Sequence, residues 1–202
     1  MKFFLFLHGF QGTPHSDIAQ ITREAILGYK KSKKKSHKIE FISPDLAGLS
    51  INQIFIELEN IMLKHQNDEK FFIGISLGGF LALQMHLKYS GKLILINPCL
   101  NPSKYIDKYI NQTFTHHSKN REITITQKTK EQIKALELDQ IPNQENILLL
   151  TQKDDLTLNY KDAINLLPNA KKIIKSNGGH EFTNFESVIP DIIAFCDLPN
   201  QN

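Results

Sequence analysis

The sequence predicts an α/β fold: a mostly parallel sheet of about six strands covered by helices on both faces. Three observations predict it. Short apolar runs alternate with amphipathic segments over most of the chain, the order of strands joined by crossover helices. The runs are apolar throughout instead of alternating, which suits strands buried on both faces. Several amphipathic segments also open on capping residues. At 202 residues the chain can bury a substantial core, and residues 1–202 are read as one domain with a small cap-like insertion at about 100–145, after the fourth strand.

The elements follow in order. Phe3 to Leu7 is a continuous apolar strand, and Ser16 caps a helix carrying Ile18, Ile21, Ala25 and Ile26 on one face. Lys38 to Ile42 is a strand. Ser50 with Gln53 makes a capping box before Ile51, Ile54, Leu58, Ile61 and His65 at helical spacing. Phe71 to Ile75 is a strand, Leu77 to Tyr89 a helix stopped at Gly91, and Leu93 to Ile96 another strand. From Cys99 to about Asn146 the pattern turns polar: "REITITQ" alternates like an exposed strand, and Thr129 with Gln132 boxes a short helix through Leu138. Regularity returns with a strand at Ile147 to Leu150, a helix around Leu158 to Leu167 and a strand at Lys172 to Ile174. Thr183 and Glu186 form a last capping box for a helix to about Phe195.

Composition narrows the function. The apolar fraction of 41% and charged fraction of 22% are those of a globular protein. No apolar run approaches the ~18 residues of a membrane span. The net charge of +3 comes from one lysine cluster, "KKSKKKSHK", without interleaved aromatics. It reads as a solvated helix end and loop, so no nucleic-acid partner is expected. Cys99 and Cys196 sit in apolar contexts and read as buried free thiols. The opening "MKFFLFLHGFQG" has too short an apolar stretch for an export signal, which needs roughly 7–15 residues and a small-residue cleavage site. A cytoplasmic location is therefore expected.

The sharpest chemical signal is "FFIGISLGGF". Gly74-Ile75-Ser76-Leu77-Gly78 fits the G-x-S-x-G nucleophile elbow between a strand and a helix. Glycines belong there because Ser76 must sit on a tight, strained turn, and Gly79 lets the helix pack closely. A helix start beside the serine favours an oxyanion. Among eight histidines, His180 follows the last short strand in "SNGGHEF", where Gly178 and Gly179 let the loop turn sharply. His37, His65 and His86 read as surface residues, and His116 and His117 as a loop pair unsuited to a metal. Asp154 and Asp155 stand just past a strand end; either orients an imidazole, or both serve as helix-start acids. Serine, then acid, then histidine is the chain order of a hydrolase triad on an α/β sheet.

The stretches "LHGFQGTP", "GISLGGF", "LINPCLNP", "DDLTLNYKDA" and "GGHEFTNFE" resemble the α/β-hydrolase superfamily and, within it, the small YqiA-like bacterial esterases. The resemblance runs over most of the chain. It implies Ser76 as nucleophile, Asp155 as acid and His180 as base, with oxyanion donors from the backbone N–H groups of Leu77 and Phe10 (Gln11 being the neighbouring alternative) and His8 and Gly9 shaping the loop. The sequence departs from that pattern at Asp154, where the family usually has glycine, and between about Tyr105 and Ile141, where a cap would lie. The expected activity is serine-dependent cleavage of a small-molecule carboxylic ester or acyl thioester, with no metal and no cofactor. Two other readings use the same residues: a ligand-binding protein that turns over little, and an acyltransferase or amidase.

Overall fold

The computed structural model describes residues 1–28, 38–116 and 119–198. Most of the lysine cluster, with His37, and also His117 lie outside the described residues. In chain order the elements are β1 (Lys2–Leu7), α1 (Asp17–Gly28), β2 (Ile39–Ile42), α2 (Ile51–Lys64), β3 (Glu69–Ile75), α3 (Leu77–Tyr89) and β4 (Lys92–Ile96). They continue with β5 (Thr113–His116), β6 (Arg121–Thr124), α4 (Gln127–Lys134), β7 (Ile147–Gln152), α5 (Tyr160–Leu166), β8 (Lys171–Lys175) and α6 (Ile189–Phe195).

Six strands form one sheet in the order β2-β1-β3-β4-β7-β8, and every pairing in it is parallel. Each crossover covers a sheet face, so the strands must be apolar on both sides. All of β1 and β7 is buried. Alternate side chains of β1 serve opposite cores: Phe3, Leu5 and Leu7 join α2 and α3, while Phe4 and Phe6 join α1 and α6. Full burial of one such side chain contributes about 1.5–3 kcal/mol, so the opening stretch is an interior strand of the core.

Between β4 and β7 the chain leaves the sheet. Two short 3-10 turns, Pro102–Lys104 and Ile106–Tyr109, lead into the antiparallel β5–β6 hairpin and then α4. Phe114 and Ile123 of the hairpin and Ile133 of α4 pack onto the core that α2 and α3 share. This polar stretch thus covers the same sheet face as those helices.

Several expectations are corrected. His65 and His86 are buried, not on the surface: His65 stacks on Phe3 with ring centroids 3.7 Å apart and bonds Asp68 at 3.0 Å, and His86 Nδ1 meets the Gly91 carbonyl at 2.8 Å. His116 ends β5 instead of lying in a loop, 3.8 Å from Asp45 Oδ1. The box of α4 is Thr126 with Thr129, not Thr129 with Gln132, and the helix stops at Lys134. No Thr183–Glu186 box forms, because both backbone polar groups of Thr183 are bonded to the Gln152 side chain. The chain instead enters a 3-10 turn at Phe185–Val188, with Asn184 left-handed at φ 58°.

Candidate active site

Ser76 stands between β3 and α3 with φ 53° and ψ −123°, backbone that a non-glycine residue holds only when its surroundings enforce it. Those surroundings are specific. Ser76 N donates to the Ile96 carbonyl at 3.1 Å, and Cys99 N donates to the Ser76 carbonyl at 2.9 Å. A Cβ on Gly74 would stand 2.2 Å from the Gly78 carbonyl oxygen, and one on Gly78 would stand 2.0 Å from that of Leu7. Gly79 faces Pro98 just past β4, where an added Cβ would come within 2.6 Å.

The other two candidate side chains arrive from the ends of neighbouring strands. His180, after β8, places Nε2 3.0 Å from Ser76 Oγ and Nδ1 2.8 Å from Asp155 Oδ2. The second oxygen of Asp155 accepts the backbone N–H groups of Thr157 at 2.8 Å and Leu158 at 2.9 Å. This carboxylate is 2% exposed and has partners on both oxygens. Asp154 is not part of the chain of bonds; its Oδ2 accepts Asn177 N at 2.7 Å. The two adjacent aspartates therefore differ: one meets the imidazole and the other ties down the loop that carries it.

Two uncharged side chains hold that loop, and the sequence reading did not single them out. Asn97, just past β4, is 2% exposed and left-handed at φ 37°. Its Nδ2 donates to the carbonyls of Gly179 at 3.0 Å and His180 at 2.9 Å, while Oδ1 accepts Gln152 N at 2.9 Å. Gln152, at the end of β7, grips Thr183 by accepting from its N–H and donating to its carbonyl, each at 2.9 Å. Gly178 is needed because a Cβ there would strike the Gln152 amide at 2.1 Å. The sharp turning expected of the glycine pair is done by Asn177 (φ 63°) and Phe182 (φ 55°) instead. "LINPCLNP" and the end of the β7 strand were the only signals for these amides.

The β1–α1 loop faces Ser76. Gly9 comes so near that an added Cβ would lie 3.1 Å from Ser76 Cβ. His8 is buried, its Nε2 accepting Leu46 N at 3.0 Å and its Nδ1 2.9 Å from the Gly9 carbonyl. Burial holds the His8 pKa below its ordinary value, against a smaller opposing effect of the Gly9 carbonyl. A neutral ring donating from Nδ1 fits both bonds, so His8 links two loops. The Phe10 ring joins an aromatic cluster with Tyr109, 5.6 Å away, and Phe114, 4.9 Å away. The segment between β4 and β7 thereby roofs the loop. Beneath it a cavity of about 170 Å³ reaches Ser76 and Leu77. Among the described residues, no group of three or more His, Cys, Asp or Glu is arranged to hold a metal, and no helix is long and apolar enough to cross a membrane.

Solved structures share this arrangement of a parallel sheet between helices. Est1E from Butyrivibrio proteoclasticus, solved with ferulic acid bound, matches with a TM-score of 0.72 at 12% identity over 96% of this chain and 88% of that one. Alpha/beta hydrolase domain-containing protein 10 from mouse matches with a TM-score of 0.70 at 16% identity, covering 96% and 89%. The esterase domain of a Rhodothermus marinus protein matches with a TM-score of 0.67 at 15% identity, covering 96% and 85%. The fold is thus that of the α/β-hydrolases. Within that class the chain belongs to the family described as Uncharacterised protein family (UPF0227), which it matches over residues 3–197.

Proposed function

We propose that the chain is a serine hydrolase that cleaves carboxylic esters or acyl thioesters of small molecules through an acyl-enzyme. The observation that carries this is the unbroken chain of contacts from Ser76 Oγ to His180 at 3.0 Å and from His180 to Asp155 at 2.8 Å. With the Asp155 carboxylate accepting a hydrogen bond from Nδ1–H, Nε2 is left as the acceptor for the serine hydroxyl. His180 takes that proton as Ser76 Oγ bonds to the acyl carbon. The carbonyl electrons move to oxygen, and the backbone N–H groups of Leu77 and Phe10 hold the oxyanion; one such donor contributes about 3 kcal/mol. When the tetrahedral species collapses, the bond to the leaving alcohol or thiol breaks and His180 returns the proton to it. A water deprotonated by the same histidine then releases the acid and restores Ser76.

The oxyanion assignment is supported by the close approach of Gly9 to Ser76 and by the positive end of α3 beside the nucleophile. The esterase domain from Rhodothermus marinus among the structural neighbours agrees with the reaction class. The test is hydrolysis of p-nitrophenyl butyrate. Ser76→Ala is expected to lower kcat by at least 10⁴-fold, on the order seen when triad members are removed, with an unchanged circular dichroism spectrum. Turnover retained in that variant would overturn the assignment.

A further inference from the structure

The cavity beneath the roof has a composition that defines what fits in it. Its walls include Leu46, Ile51, Ile54, Leu81, Ile125 and Ile133, aliphatic side chains contributed by the loop after β2, α2, α3, the end of the hairpin and α4. Each is no more than 8% exposed. Two of the polar side chains that line it are bonded within the protein. The Tyr105 hydroxyl donates to Asp162 at 3.0 Å, and Thr129 Oγ1 accepts from Thr126 N at 3.2 Å. Among the described residues, the one buried side-chain polar atom without a partner is Ser43 Oγ, which is not in these walls. A hydroxyl or amide placed against these aliphatic walls would find no partner there to replace its water, a cost that disfavours polar chains.

Position assigns the cavity to one half of the substrate. It meets the site at Ser76 and Leu77, on the side of the β1–α1 loop. His180 must protonate the leaving group, and its side chain is 22% exposed, so the leaving group departs on the open side. The apolar cavity is then left for the acyl chain. Size bounds that chain. The cavity is about 170 Å³, close to the roughly 150 Å³ of an aliphatic-lined cavity that takes benzene, so its capacity is about six to eight carbons.

Resting on the serine-hydrolase reading, we propose that this cavity is an acyl pocket selecting unsubstituted apolar acyl groups of about six to eight carbons. Shorter chains leave it part empty and long chains do not fit. Ile133, on α4 in the covering segment and outside the catalytic groups, is the residue through which the limit can be moved.

The test uses p-nitrophenyl esters from acetyl to palmitoyl. For each methylene up to hexanoyl or octanoyl, kcat/KM is expected to rise about fourfold, then to fall by at least tenfold at dodecanoyl and beyond. Ile133→Phe is expected to move the optimum to butyryl or shorter, and Ile133→Ala to move it to longer chains. In parallel, calorimetry on Ser76→Ala is expected to show octanoate binding at least tenfold more tightly than acetate or palmitate. An active enzyme whose kcat/KM is flat with chain length, or is greatest at palmitoyl, overturns the acyl pocket alone. The same overturning result is a profile unchanged by both Ile133 variants. Selective octanoate binding by a protein that hydrolyses no ester would uphold the pocket and sink the hydrolase reading instead.

Discussion

Replacing Asn97 by Asp tests how the imidazole is held. The change keeps the side chain's size and the acceptor for Gln152 N, but removes the two donations from Nδ2 to the carbonyls of Gly179 and His180. Each lost buried hydrogen bond is worth about 1 kcal/mol, and setting a second acceptor against buried carbonyls adds desolvation without compensation. A stability loss of about 2–4 kcal/mol follows. The larger effect falls on the reaction, since the two carbonyls flank and include the residue that contacts Ser76. Displacement of a reacting group by about 1 Å costs on the order of 100-fold in rate. Steady-state kinetics on a short ester, with urea unfolding beside them, separate the two effects. The expected result is kcat lowered about 100-fold with KM within about threefold, in protein that remains folded at the assay temperature. If stability falls and kcat does not, Asn97 only packs the loop and the positioning argument is wrong.

The adjacent aspartates should separate cleanly. Asp155→Asn is expected to lower kcat by roughly 10³–10⁴-fold because the imidazole loses the partner that sets its tautomer. Asp154→Asn should cost no more than about tenfold through its bond to Asn177, and equal losses in the two variants would refute the assignment. Stability should fall on both sides of neutrality. Burial pushes the Cys99 and Cys196 thiols up to about 12, so the folded state keeps protons that the unfolded state loses above about pH 9. Stability fully present below that pH is lost as it rises, by up to about 1.4 kcal/mol per unit for each thiol, and Cys99→Ala with Cys196→Ala should flatten the alkaline limb of a urea titration. On the acid side, burial lowers His8 and His86, so stability present above about pH 6.5 is lost as pH falls through their folded values.

The sheet was legible because burial on both faces forces continuous apolar runs, and each crossover helix repeats its own period. "GISLGG" was legible because the backbone at Ser76 and the contacts of Gly74, Gly78 and Gly79 permit almost no other residues. What escaped depends on partners far away in the chain. His65 reads as a polar helix end until Phe3, 62 residues earlier, stacks on it. Asn97 and Gln152 carry no charge and no local spacing, and their importance appears only when three strand ends meet beneath the His180 loop. Thr183 with Glu186 has the spacing of a capping box, yet Gln152 takes the Thr183 backbone first. The covering segment stayed ambiguous because its hairpin is half exposed and its apolar side faces other elements.

The most direct measurement is covalent labelling by a fluorophosphonate, followed by intact mass and peptide mapping. One adduct per chain, located on Ser76 and absent from both Ser76→Ala and His180→Ala, is the predicted result. Folded protein that takes up no label, or takes it up at another residue with Ser76 unmodified, would contradict the account.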